Sequence, residues 1–352
     1  MAASPVVHPP APTFTGLPGA LWLYRFDAAG RAQALDPASC SARTLHDADV
    51  DDWHWLHLDL SDVRSAQIVA TLPLPEEAHA TLVSPDSHVN LQFEDAVAHG
   101  VFVDWVHQRG VDLAAEGQLR GDDGIGWLHF AMTDRVLVTA RRQALRSLEA
   151  ARRNVMAGAV TDSPVRLLEL VAGRFADTVE RSSDGLSTRL DRIEDRVLAD
   201  SIGEERRDLA QLRHQTVRLH RPLTAMRRVL KPFEQRHAGD TDHELLAAIA
   251  RLNQRLDDLD GDVGTLQERA RLLQDEVAAK LAERTNRHLY VLSMITALLL
   301  PPSLVAGLFG MNLPGLPFAH SAHGLAFALL LGAASSVVVY LLLRRMGVAR
   351  ST

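Results

Sequence analysis

The C-terminal part of this 352-residue chain contains two long apolar runs, Leu289–Phe309 and Gly324–Leu343. No Asp, Glu, Lys or Arg occurs between residues 289 and 343. Each run has about 20 residues, and a helix of that length rises about 30 Å, which matches the hydrocarbon core of a bilayer. Both runs lack the polar stripe that a buried helix of a soluble protein normally keeps. The sequence therefore predicts a membrane protein with two C-terminal spans.

The residues that flank the two spans predict their orientation. Arg284 and Arg287 precede the first span, Arg344 and Arg345 follow the second, and the connecting loop has no Lys or Arg. The positive-inside bias places both termini in the cytoplasm of a multi-pass protein of the plasma (inner) membrane. Residues 1–16 are rich in Pro and Ala, lack the features of a secretory signal, and predict a disordered tail.

Two features of the composition limit the function. The single cysteine, Cys40, excludes an internal disulfide, as expected in a reducing compartment. The formal charge of −7 argues against nucleic acid as a partner. The sequence has no Walker A motif and no evident nucleophile triad, so we do not expect an enzyme, and no cofactor is predicted.

Hydrophobic periodicity divides the remaining chain into an α+β cytoplasmic domain, residues 17–160, and a helical stalk, residues 161–288. Strand patterns occupy 20–26, 53–60, 92–93, 96–106, 126–132 and 135–140, and helical patterns occupy 63–72 and 142–157. The predicted boundaries that follow are 289–310 for the first span, 311–323 for the outer loop, 324–343 for the second span and 344–352 for a cytoplasmic tail.

The last stalk helix carries a heptad seam. Its apolar residues follow a 4-3 spacing: Leu245, Ile249, Leu252, Leu256, Leu259, Val263, Leu266, Ala270, Leu273 and Val277. Nothing interrupts this pattern before the first span, so we predict one helix from about His243 to Phe309, about 100 Å long. A helix of this length cannot stand alone and must pack in a bundle or an oligomer.

Two spans cannot enclose a polar path, so transport would require several copies around an axis. One face of the first span suits such a pore. Small, hydroxyl and apolar residues recur there at 3-4 spacing: Ser293, Thr296, Leu300, Ser303, Gly307 and Gly310. The alternative is ordinary helix packing, which uses the same residue types. Pro301 and Pro302 lie within this span and would leave carbonyl groups without their usual helical donors.

The same face, extended into the stalk, reaches Asp275 and Glu268. Two carboxylates facing an axis would attract cations. The alternative is that they pair with Arg269, Arg271 or Lys280 on the same helix, which is the commoner environment of a helix charge.

The motif Gly310-Met311-Asn312, at the end of the first of two C-terminal spans, resembles the signature of the CorA superfamily of divalent-cation transporters. Segments 301–307, 217–228 and 55–62 extend the resemblance over nearly the whole chain after the tail. It implies a homopentamer with a cytoplasmic funnel, in which the first span lines the pore and Asn312 closes the outer mouth. A ring of Asn carboxamide oxygens suits a hydrated divalent ion, and Met311 is expected to pack.

The loop after this motif is similar to that of the ZntB zinc-transporter branch. It contains Leu313-Pro-Gly-Leu-Pro-Phe318 and lacks the acidic residues of the magnesium branch. His320 and His323 could favour zinc, although the alternative is simple loop polarity near the headgroups.

The expected function is transport of Zn²⁺ across the inner membrane, with membrane lipid and further copies of the chain as partners. The alternative is an Mg²⁺/Co²⁺ channel. A different class, a membrane-anchored coiled-coil scaffold or sensor that conducts nothing, would explain the heptads and the two spans but not the pore-like face.

Overall fold

A computed structural model describes residues 16–41, 45, 52–85, 88–107, 124–199, 205–237, 243–311 and 323–345. Most of the predicted N-terminal tail, Asn312, His320 and residues 346–352 lie outside this description. The chain forms two compact units, which meet in sequence between Leu273 and Gln274, and each is described by itself below.

Seven strands of the first unit form one sheet. They are β1 (Ala20–Phe26), β2 (Ala32–Leu35), β3 (Trp53–Asp59), β4 (Asn90–Glu94), β5 (Val97–Trp105), β6 (Ile125–Met132) and β7 (Val136–Arg141). Their order is β2-β1-β3-β7-β6-β5-β4. The central pair β3–β7 is parallel, and the other five pairs are antiparallel. Strands β6 and β7 pair antiparallel and form the hairpin expected around residues 133–134. In its turn, Thr133 N–H donates to the Val136 carbonyl (2.9 Å).

Both faces of the sheet are covered, and β3 is buried on both. Helices α1 (Val63–Val69) and α2 (Glu76–Val83) contribute to an apolar cluster with Leu56 and Leu58 on one face. Helices α3 (Arg146–Met156) and α4 (Pro164–Leu198) also pack against the sheet, and Phe175 of α4 stacks on Trp105 with ring centroids 4.7 Å apart. The predicted strands are confirmed, whereas β2 and α2 were not predicted.

His57 lies at the centre of a buried polar network on β3. Its Nε2 accepts from Nε of Arg141 (2.9 Å), so Nδ1 carries the proton and donates to Thr139 Oγ1 (2.8 Å). Trp55 Nε1–H donates to the same hydroxyl (2.9 Å), and Trp22 stacks on the imidazole ring at 4.0 Å. These contacts give His57 a structural role.

We expect acidification to destabilise this unit. Burial lowers the pKa of four imidazoles below the usual 6.5, those of His54, His57, His99 and His129. The unfolded chain binds protons near pH 6.5 that the folded chain does not, so stability is present above pH 6.5 and is lost as the pH falls through the folded pKa values. Each imidazole contributes a slope of at most about 1.4 kcal/mol per pH unit in that window.

Asp104 has the opposite effect on the pH dependence of stability. Burial raises the pKa of its carboxyl to about 6, against hydrogen bonds from Ser147 and Trp105 that lower it. The folded state therefore gains stability from this one group as the pH falls through 6. Four imidazoles outweigh it, so calorimetry of the full chain between pH 7.5 and 5 should show a falling melting temperature. A flat or rising profile would contradict this.

Three long helices complete the stalk: α4, α5 (Glu205–Arg236) and the first part of α6 (His243–Gly310). All ten predicted seam residues of α6 are buried, which confirms the heptad seam and the continuous helix. Arginines link α6 to its neighbours. The pairs are Arg251–Glu169 (2.7 Å), Arg255–Asp177 (2.6 Å) and Arg269–Asp191 (2.7 Å) to α4, and Arg227–Asp257 (2.6 Å) to α5.

The second unit contains the C-terminal part of α6 and the helix α7 (Gly324–Arg345). Both helices are long and apolar enough to cross a membrane.

Candidate functional site

The face of α6 predicted to line a pore is exposed throughout in the single chain, from Ser293 to Gly310. Two of its hydroxyl groups donate to the carbonyl one turn earlier: Thr296 Oγ1 to Leu292 (2.9 Å) and Ser303 Oγ to Leu299 (2.7 Å). Because each hydroxyl hydrogen is used within the helix, the oxygen lone pairs remain available on the exposed side. This face therefore presents acceptors, which suit the water shell of a cation.

The opposite face of α6 packs against α7. Residues of α6 on that side are half-buried: Met294, Ala297, Leu298, Pro301, Pro302, Val305 and Phe309. Gly332 is buried, and a Cβ there would lie 3.6 Å from Cβ of Pro302, in ordinary van der Waals contact. Nearer the C-terminal end of α6, Phe309 and Phe327 have ring centroids 6.4 Å apart.

One hydrogen bond crosses between the two helices at the level of the prolines. Pro302 has no N–H, so it cannot donate to the Leu298 carbonyl four residues earlier. The hydroxyl of Ser336 on α7 donates to that carbonyl at 3.0 Å. A carbonyl left without its helical donor is thus satisfied by the neighbouring helix, as expected for a proline inside a membrane span.

Only part of the predicted outer mouth lies within the described residues. Helix α6 ends at Gly310. Met311 follows, is 65% exposed and donates its N–H to the Gly307 carbonyl (3.2 Å). His323 is exposed just before α7. Asn312 and His320 fall outside the description, so the ring of amides and the pair of histidines stay predictions. Among the described residues, no group of three or more His, Cys, Asp or Glu side chains could hold a metal ion.

The acidic residues of the stalk have mixed environments. Glu268 is exposed and pairs with Arg271 (2.7 Å), and the hydrogen bond from this guanidinium lowers the pKa of the Glu268 carboxyl. This is one of the pairings that the sequence left open. Asp275 is also exposed. Arg269 instead reaches Asp191 and Glu194 of α4.

Comparison with known proteins gives one family. Residues 50–345 match the family model described as CorA-like Mg²⁺ transporter protein. The zinc transport protein ZntB of Yersinia enterocolitica is 26% identical, and the match covers 87% of this chain and 89% of that protein.

Two solved structures have a similar fold. The full-length CmaX protein superposes with a TM-score of 0.75 at 22% identity, over 93% of this chain and 97% of that one. The CorA magnesium transporter from Methanocaldococcus jannaschii gives a TM-score of 0.68 at 16% identity, over 92% and 97%. At these identities the likeness supports the architecture: a mixed sheet domain, long helices and two C-terminal apolar helices.

Proposed function

Because this chain belongs to the CorA-like Mg²⁺ transporter family, a family of transporters of divalent cations, we propose that it moves Zn²⁺ through a pore formed by several copies of α6. The observation that carries the proposal is the exposed face of α6 from Ser293 to Gly310. That face presents hydroxyl oxygens and small residues, while the opposite face packs on α7.

We propose a homopentameric funnel as the assembly. A single pair of spans cannot surround water, so the exposed face of α6 must be shared around an axis by identical copies. In this arrangement Ser293, Thr296, Leu300, Ser303 and Gly307 line the pore. Gly310, Met311 and Asn312 form its outer mouth. The spans are residues 289–310 and 324–343 of the inner membrane, with both termini in the cytoplasm, as the flanking arginines favour.

Two observations favour zinc over magnesium. The loop from Met311 to His323 contains no acidic residue but has two histidines, and imidazole binds zinc better than it binds magnesium. In addition, a relative that matches over most of both chains is named a zinc transport protein.

Metal flux into proteoliposomes tests the proposal. We expect Zn²⁺ uptake by the reconstituted full chain that exceeds uptake of Mg²⁺ and Co²⁺ at equal concentrations. Preference for Mg²⁺ would replace zinc by the Mg²⁺/Co²⁺ channel. The absence of flux for every divalent ion would favour the non-conducting scaffold and refute transport.

The exposed carboxylates of α6 give a further prediction. If Glu268 and Asp275 concentrate cations on the way to the pore, the double variant Glu268→Gln/Asp275→Asn should lower flux about twofold at low ionic strength, where the Debye length is about 30 Å. The loss should shrink near physiological salt, where charges are screened beyond about 8 Å. Flux measured against salt concentration checks this.

Glu276→Gln provides the control, because Glu276 also carries a carboxylate, lies beside Asp275 and pairs with Lys280 (3.6 Å). If the dependence of flux on salt is unchanged in the double variant, the two carboxylates pair with neighbouring cationic side chains and do not attract the transported ion. The Glu268–Arg271 pair is a contact of this kind.

A further inference from the structure

The Leu298 carbonyl of α6 lacks its usual helical hydrogen bond. Pro302 supplies no N–H to it, and in the hydrocarbon region no water replaces the missing donor. An unsatisfied carbonyl in such surroundings destabilises the helix. The helix nevertheless continues unbroken from His243 to Gly310, so the carbonyl must be satisfied locally.

The donor comes from the other helix. Ser336 Oγ lies 3.0 Å from the Leu298 carbonyl oxygen and 3.3 Å from that of Gly332 in its own helix. Gly332, one turn before Ser336, brings α7 into contact with Pro302. The adjacent Ser335 is a natural comparison, because its hydroxyl donates only to Gly332 of the same helix (2.7 Å).

We propose that Ser336 is a positioning residue for transport: its hydroxyl replaces the amide that Pro302 lacks and fixes α7 to the pore-lining helix at mid-span. This role rests on the proposed function of α6. Ser336 does not belong to the exposed face, so it acts through the backbone of α6. Its hydrogen bond holds the turn that presents Leu300 and Ser303 on the other side.

A double-mutant cycle tests the bond. Ser336→Ala should lower the melting temperature of the assembled protein by about 1–3 °C and reduce Zn²⁺ flux about threefold, the size expected for one interhelical hydrogen bond in a membrane. Ser335→Ala should leave both nearly unchanged. In the Pro302→Ala background the restored amide donates to Leu298, so Ser336→Ala should then have little further effect.

A second pair of variants keeps the test decisive if Pro302→Ala fails to assemble. Ser336→Thr retains the hydroxyl and Ser336→Val removes it at nearly equal volume. We therefore expect the Thr variant to melt and transport like the wild type and the Val variant to resemble Ser336→Ala. Equal behaviour of Thr and Val, or an equal effect of Ser336→Ala in both backgrounds of the cycle, would overturn the proposal.

The two readouts separate this inference from the proposed function. Melting temperatures report the hydrogen bond whether or not the protein conducts. If the wild type moved no divalent ion, the transport proposal would fail, and with it the role of Ser336 in transport. Coupling between positions 302 and 336 in the melting data would still support the hydrogen bond as the link between α6 and α7.

Discussion

Asn312→Ala is expected to abolish or severely impair cation transport while the protein still assembles. The proposed outer mouth holds a hydrated divalent ion through carboxamide oxygens, one from each copy. Alanine removes every oxygen of that ring at once, so the waters around the ion would lose the acceptors that hold the hydrated ion at the mouth. Flux of Zn²⁺ into proteoliposomes, normalised to the assembled protein found by size-exclusion chromatography, measures the effect.

Met311→Ala is the matched control for this variant. Met311 is the neighbouring residue, and its exposed thioether is a weak acceptor that we expect to pack. Its truncation should reduce flux much less than Asn312→Ala. Near-normal transport by assembled Asn312→Ala protein would refute the proposed mouth.

Cysteines placed on the exposed face of α6 should make transport sensitive to a charged, membrane-impermeant thiol reagent. The single native cysteine, Cys40, is buried in the first unit. The variant Cys40→Ala therefore provides a background without thiols. In that background we expect the reagent to remove most of the flux through Thr296→Cys or Ser303→Cys protein. Both positions would face water in the pore, where thiolates form and react.

Ile295→Cys and Leu308→Cys are the controls. Both residues are exposed in the single chain, yet they lie roughly a third of a helical turn from the centre of the proposed pore face, one on each side. Their cysteines should contact lipid or a neighbouring copy and leave flux unaffected by the reagent. Equal inhibition at all four positions, or at none, would argue against the proposed pore face.

The parts of the fold that were predicted correctly depend on long repeated patterns. The seam of α6 repeats over ten positions from Leu245 to Val277, so its recognition does not depend on any single residue. Every member of the seam is buried. The strands β1, β3, β5, β6 and β7 are apolar runs bounded by turn residues, and each was located to within a few residues.

The parts that were missed depend on tertiary contacts. Strand β2 is an edge strand of four residues, Ala-Gln-Ala-Leu, that exists because β1 pairs with it. Helix α2 begins after Pro75 and has only two buried residues, Ala78 and Leu82, so its apolar periodicity is weak.

In the candidate site, too, some features follow from the sequence and others depend on tertiary contacts. Pro302 predicts that the Leu298 carbonyl loses its helical donor, and this follows from the sequence alone. The identity of the new donor depends on the rotation of α7, and this rotation follows from its packing on α6. The pairing of Glu268 with Arg271 was one of several alternatives that sequence spacing could not separate.

The tryptophans of this protein all belong to the sheet. The chain has five, and Trp22, Trp53, Trp55, Trp105 and Trp127 lie in β1, β3, β5 and β6. Their fluorescence therefore reports on the sheet, whereas circular dichroism at helical wavelengths is dominated by the long helices. In the arginine–carboxylate pairs between those helices the carboxylate is the group that titrates. The hydrogen bonds from Arg251 lower the pKa of the Glu169 carboxyl, so this pair persists in mild acid. Mild acid should thus quench or shift the tryptophan emission before helical content falls, which makes the protein's own fluorescence a probe of the sheet.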